Sequence, residues 1–337
     1  MTYSEPYLSF AAAILAVLLS SAVTRTIRPL MLRHALAQPN ARSSHRIPTP
    51  QGAGIAVIAA TLIAAFAVMT FAGASVMKIP AIVFAATLFI AAVGLADDVH
   101  SIPVLPRLLL QAAAVAAIVF TAPESLRIVE TLPLWLERGL VLLAGLWFVN
   151  LVNFMDGLDL MTAAEAVPIS AAIALLGWLG EVPASTTIVA AALCGALLGF
   201  TPFNRPVAKI FLGDVGSLPI GLLLGWCLLQ LAWHQQLAAC VLLPLYYLTD
   251  ATVTLFRRMI RREPFWAAHR SHYYQRATDN GFTVWQVIGE VFALNAVLAT
   301  LAIASTRLQS PVVVILLVAA GMLAVVLTLY RFSRPKH

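Results

Sequence analysis

Long uninterrupted apolar runs dominate this chain, and they decide what it can fold into. A helix of roughly 20 mostly apolar residues is long enough to cross a bilayer. Eleven segments approach that length, at about 7–24, 53–73, 79–96, 107–122, 138–154, 160–178, 184–201, 217–233, 237–256, 283–304 and 311–330. They fill most of the 337 residues and leave no room for a soluble domain of any size. The expected unit is one membrane-embedded domain over residues 1–337. Continuous runs, rather than alternating segments of ~10 residues, exclude a transmembrane β-barrel. The expected fold is all-α and polytopic, with about eleven transmembrane helices.

Composition agrees. Charged residues make up 11% of the chain and hydrophobic ones 61%, and mean hydropathy is +0.90. A soluble domain carries about 25% charged residues, and a disordered chain needs the opposite balance. Cys194, Cys227 and Cys240 lie inside apolar runs, so they read as small buried hydrophobes and not as a disulfide frame. The first run is expected to be retained and not cleaved as a signal peptide, because Glu5 precedes it and Arg25, Arg28 and Arg33 follow it.

Basic residues orient the helices. With the N-terminus outside and the C-terminus inside, seventeen of the 21 Lys and Arg fall inside, and only Lys78, Arg127, Arg138 and Arg307 fall outside. The net charge of +6 is then a topology signal that needs no nucleic-acid partner. All seven aspartates (Asp97, Asp98, Asp156, Asp159, Asp214, Asp250 and Asp279) are expected on the inside, whereas the outside loop carboxylates are all glutamates, Glu5, Glu124, Glu130, Glu137 and Glu181. The orientation rule makes no demand on aspartate. Short, hard oxygen ligands at helix ends suit a divalent cation.

Five inner segments carry the polar chemistry. In 94–103, Asp97 and Asp98 are adjacent carboxylates that repel unless a cation or proton lies between them. In 150–166, Asn150, Asn153, Asp156 and Asp159 recur every third residue and face one site only if the segment tightens or breaks, as Gly157 permits. A helix cap would explain one of these aspartates and leave the rest. In 203–221, glycines flank Asp214 at the start of a helix, with Lys209 nearby, where an anion would be attracted. In 261–283, His269, Arg270, His272 and Arg276 cluster beside Tyr273 and Tyr274. In 43–56, Pro48 and Pro50 stiffen the loop, Gly52 and Gly54 allow the second span to start close to a neighbour, and His45 and Arg46 are phosphate candidates.

These parts suit phosphoryl transfer, with aspartates for a cation, Lys and Arg for phosphate, carboxamides for a base or sugar, and Phe211 for stacking. An intramembrane aspartyl protease is expected to show Gly-x-Gly-Asp. Here Phe211-Leu212-Gly213-Asp214 lacks the first glycine. A lipid or anion transporter would place charges near the midplane and carry internal repeats. No repeat is visible, and only Glu165 and Glu290 are expected within spans, as helix-packing contacts.

The aspartate pair, the Asn-x-x-Asn-x-x-Asp-Gly-x-Asp run and the Phe-x-Gly-Asp-x-Gly-Ser segment together resemble the polyprenyl-phosphate N-acetylhexosamine-1-phosphate transferases. That superfamily includes phospho-N-acetylmuramoyl-pentapeptide transferase, and the resemblance runs the length of the chain. It implies Mg²⁺-dependent (or Mn²⁺-dependent) transfer of a sugar-1-phosphate from a UDP-sugar to undecaprenyl phosphate, with release of UMP. The implied setting is a plasma or inner membrane with a cytoplasmic active site, and a homodimer is compatible with it. By resemblance, Asp97, Asp98, Asp214 and His272 are the catalytic residues, with Asp97 deprotonating or orienting the lipid phosphate. The implied metal ligands are Asp214, Asn153 and Asp98. Asn153, Asp156 and Asp159 would line the nucleotide pocket, Asn204 and Phe211 would contact uridine, and Arg270 would join His272 at the diphosphate. Two departures stand out. Ser101 replaces a frequent third aspartate, and the last loop reads His-Arg-Ser-His-Tyr-Tyr-Gln instead of clustered histidines. The second favours the branch that primes O-antigen or other surface polysaccharide over the muramoyl-pentapeptide branch.

Overall fold

A computed structural model describes residues 4–34, 36–37, 49–72, 81–263, 269–308 and 310–336. Its helices are α1 (Ser4–His34), α2 (Gly54–Ala72), α3 (Ala81–Val99), α4 (Val104–Thr121), α5 (Leu134–Met155), α6 (Met161–Trp178) and α7 (Ala184–Asn204). They continue with α8 (Asp214–Trp233), α9 (Leu237–Leu242), α10 (Leu245–Ile260), α11 (Tyr273–Asp279), α12 (Val284–Arg307) and α13 (Pro311–Phe332). The only strands among the described residues, β1 (Leu36–Ala37) and β2 (Thr49–Pro50), pair antiparallel. The chain is an all-α polytopic membrane protein.

Among the described residues, ten helices are long and apolar enough to cross a membrane, one fewer than the eleven expected. The ninth expected span is broken instead into α9 and α10. Pro244 sits at the break, where it has no N–H to donate to the preceding turn. Two other expectations shift. α1 runs past residue 24, so Arg25, Arg28 and Arg33 ride on its last turns and not in a loop. Glu137 and Arg138, expected in an outside loop, are buried in the first turn of α5. There Glu137 accepts from Arg127 Nε at 3.0 Å. Arg138 donates to the carbonyls of Val119, Pro123 and Leu126 and lies over the Trp233 ring. Hydrogen bonds with backbone carbonyls satisfy that buried guanidinium.

α8 is the central helix, buried almost throughout and packed against α2, α3 and α5. Close approach requires glycine here. A Cβ on Gly94 would lie 2.3 Å from the Asp214 carbonyl oxygen, and one on Gly54 would lie 2.2 Å from the Gly216 backbone. The expected close start of the second span is therefore seen. By contrast, α13 presents Val312, Ile315, Leu316 and Leu323 outward, the apolar face that lipid would cover.

Candidate active site

The polar motifs meet because hydrogen bonds tie the ends of neighbouring helices together. The backbone N–H groups of Gly52 and Ala53 donate to the Phe211 carbonyl at 3.1 and 3.0 Å, and Gly54 N–H donates to Leu212 O at 2.8 Å. This brings the start of α2 onto the loop before α8. α3 arrives at the same place through Asp98. Its carboxylate accepts the Asp214 N–H at 2.9 Å and the Val215 N–H at 3.0 Å. These amides belong to the first turn of α8, which has no partners for them within the helix. The anion drawn to that helix N-terminus is thus Asp98 itself. α5 closes the group: Asn153 Nδ2 donates to Asp214 Oδ1 at 2.7 Å and to Ser217 Oγ at 2.9 Å.

Asp97 is pinned. Its Oδ2 pairs with Arg107 Nη1 at 2.7 Å, and its Oδ1 accepts the Ile102 N–H at 2.6 Å. The Asp97 and Asp214 carboxyl groups also approach within hydrogen-bonding reach of one another. Three carboxylates, one carboxamide and the Arg107 guanidinium therefore form one cluster. Arg107 was visible in sequence only as an inner basic residue; its pairing depends on the turn at 100–103 between α3 and α4.

The Asn/Asp run divides as its periodicity requires. α5 ends at Met155, the Asp156 N–H turns back to Asn153 O at 3.3 Å, and α6 starts only at Met161. The break falls around Gly157, where it was expected. Asn150, buried, points away to Gln111 Oε1 on α4 at 2.7 Å. Asp156 accepts from Thr162 Oγ1 at 2.5 Å. Burial, with Asp98 and Asp159 nearby, pushes the Asp156 carboxyl up to about 6 against the opposing Thr162 bond. Asp159 is buried and accepts the Ala208 N–H at 3.0 Å. The residue at the N-cap position of α6 is Leu160, not either aspartate. Asn204 is buried too, its amide spanning Leu160 N–H (2.7 Å) and Ile210 O (3.0 Å). Asp159 and Asn204 thus hold the 205–213 loop against the α5–α6 corner. On that loop Phe211 is half-buried and Lys209 exposed.

The fourth segment forms a second polar cluster. His272 is buried, with Nδ1 lying 3.4 Å from Asp250 Oδ1 and its ring stacked on Tyr274. Asp250, one of the aspartates expected on the inside, lies in α10, fully buried against this segment. Arg270 turns to α11, pairing with Asp279 Oδ1 at 3.2 Å and donating to Thr278 Oγ1 at 3.0 Å. His45 and Arg46 lie outside the described residues. Glu165 and Glu290 make inter-helix contacts as expected: Glu165 with Asn295 and the Tyr247 N–H, Glu290 with Arg331.

Fold and site define a polytopic helical membrane protein with a carboxylate-rich centre at the joined ends of its helices. Residues 80–232, which carry Asp97, Asp98, Arg107, Asn153 and Asp214, match the model of glycosyl transferase family 4. It is 35% identical over 234 residues to a decaprenyl-phosphate N-acetylglucosaminephosphotransferase of Mycolicibacterium smegmatis, covering 62% of this chain and 57% of that protein. A probable undecaprenyl-phosphate N-acetylglucosaminyl 1-phosphate transferase of Bacillus subtilis is 25% identical over 310 residues, 86% of this chain and 83% of that one. A phospho-N-acetylmuramoyl-pentapeptide-transferase of Shouchella clausii is 42% identical over 87 residues, 26% of each chain. The match thus spans little over half of the mycolicibacterial relative and about a quarter of the Shouchella one.

Proposed function

We propose that this chain transfers an N-acetylhexosamine-1-phosphate from a UDP-sugar to undecaprenyl phosphate, releasing UMP, as the first step in building O-antigen or another surface polysaccharide. The observation that carries this reading is the convergence of Asp97, Asp98, Asp214 and Asn153 inside the stretch that matches family 4. The names of the mycolicibacterial and Bacillus relatives support the substrate class. A phosphate oxygen of the lipid attacks the β-phosphorus of the UDP-sugar. The bond from that phosphorus to the oxygen bridging the α-phosphate breaks, and UMP leaves with the bridging oxygen.

The residues fit Mg²⁺, and Mn²⁺ would suit the same oxygens. Facing carboxyl groups, such as Asp97 and Asp214, need a proton or a cation between them. Asp214, Asp98 and the Asn153 carboxamide are all-oxygen ligands. Among the described residues no group of three or more His, Cys, Asp and Glu forms a metal cage. A few protein oxygens, completed by water and substrate phosphate, is the usual coordination of Mg²⁺. When bound, the metal neutralises charge on the diphosphate. The chain's own residues do the rest. Asn153, itself bonded to Ser217, holds Asp214 in place, Asp98 fixes the start of α8, and Arg107 holds Asp97 where it meets the lipid phosphate. The α5–α6 corner and Phe211 receive the nucleotide.

The site faces the cytoplasm of a plasma or inner membrane, with the N-terminus outside and the C-terminus inside. The inner bias of Lys and Arg supports this. The stretch His-Arg-Ser-His-Tyr-Tyr-Gln favours an N-acetylhexosamine donor over a muramoyl-pentapeptide one. A panel of UDP-GlcNAc, UDP-GalNAc and UDP-MurNAc-pentapeptide, each offered with undecaprenyl phosphate, tests the assignment. Turnover confined to the N-acetylhexosamines is expected. Turnover of the pentapeptide donor alone would move the chain to the peptidoglycan reaction.

A further inference from the structure

Asp250 is a carboxylate in the interior of a helix, with no exposed surface. Such a group is costly unless it is hydrogen-bonded, and five polar groups converge on it. Oδ1 accepts the Tyr273 N–H at 2.9 Å and Thr254 Oγ1 at 3.2 Å, and lies 3.4 Å from His272 Nδ1. Oδ2 accepts the Tyr274 N–H at 3.2 Å and Tyr246 Oη at 3.4 Å. The two amides open α11 and have no partners within that helix. α10 therefore caps α11 from outside, through the Asp250 carboxyl group.

The far side of α11 is held as well. Tyr274 Oη donates to the Phe154 carbonyl at 3.2 Å, in the last turn of α5 beside Asn153. A Cβ on Gly157 would lie 2.2 Å from that hydroxyl and 2.9 Å from Gln275 Nε2, so a larger residue there would displace both side-chain ends from the corner. His272 immediately precedes α11, its ring stacked on Tyr274 (centroids 5.8 Å apart) and tilted against His269 (4.9 Å apart).

We propose that Asp250 is a positioning residue: one buried carboxylate fixes both the His272 ring and the seating of α11 on the α5–α6 corner, so that the histidine segment and the Asn153–Asp156 turn act as one unit. The part concerning catalysis rests on the transferase reading; the seating of α11 does not.

The test uses the full chain reconstituted in lipid, with hydrogen exchange over residues 270–280 and UMP release measured on the same samples. In Asp250→Asn the Tyr273 and Tyr274 amides are expected to exchange at least ~10-fold faster, while the α8 amides keep their rates. kcat/KM is expected to fall at least ~10-fold, and adding Asp250→Asn to His272→Asn to cost less than ~2-fold more, since coupled residues are not additive. Unchanged exchange in α11, or losses that multiply independently, would overturn the proposal. Should Asp250→Asn fail to fold, Tyr274→Phe takes its place: faster exchange at 154–157, with Tyr273 still protected, supports the clamp, and unchanged exchange there overturns it. A wild-type chain that releases no UMP would count against the transferase reading, and exchange alone would then decide the seating of α11.

Discussion

Asp214 stands first in α8, with the Asn153 amide on one oxygen and the Asp97 carboxyl in reach. Replacing it by Asn keeps shape and hydrogen-bonding capacity but removes the charge. Asp214→Asn is expected to lower kcat by at least ~100-fold, the usual consequence of deleting one preorganised electrostatic contact. Steady-state UMP release checks this, and a full-rate variant would place the charge requirement elsewhere. At this scale the sequence was legible where residue type alone carried the meaning. Short acids at helix ends pointed to Asp97, Asp98 and Asp214, and the spacing of Asn153 pointed to the same place. Partnership was not legible. Arg107 lies ten positions from Asp97 in the chain, and only the turn between α3 and α4 makes them a pair. Asn150 shares the three-residue spacing of Asn153, yet a step of three turns about 300° around a helix, and that carries it to Gln111 on α4.

The break between α9 and α10 is the main element the apolar pattern hid, because a window of hydropathy runs straight across a proline. A helix broken inside the bilayer exposes amides that lipid cannot satisfy. Here Glu165 Oε1 accepts the Tyr247 N–H at 3.4 Å, near the new helix start, and Glu165 Oε2 takes Asn295 Nδ2 at 2.6 Å. The glutamate read in sequence as a packing contact is thus also the support of the broken helix that carries Asp250. Glu165→Gln keeps one acceptor oxygen and is expected to unpair one of the two donors, at about 1–3 kcal/mol, whereas Glu165→Leu unpairs both and is expected to cost about twice as much. Thermal unfolding of the detergent-solubilised variants distinguishes them; equal loss in both would mean that the charge, and not the accepted hydrogen bonds, is what counts.

For the whole molecule, the apolar runs and the sign of the loop charges were enough to read an all-α membrane protein. The aspartates at helix ends were readable as a site because charge is so scarce elsewhere. Sequence showed that Gly54 could approach a neighbour closely; what it could not supply was which helix ends join, Gly54 against Gly216 and Gly94 against Asp214. The proposed orientation has its own test. A cysteine at Pro335→Cys is expected to react with a membrane-impermeant maleimide only after cells are opened, and labelling in intact cells would invert the topology. The central claim is reached most directly by one assay, UMP release by the purified chain from UDP-GlcNAc, with and without undecaprenyl phosphate and with Mg²⁺ or excess chelator. Release that requires both the lipid and the metal is the predicted result. Release that ignores the lipid, or that persists in chelator, would contradict it.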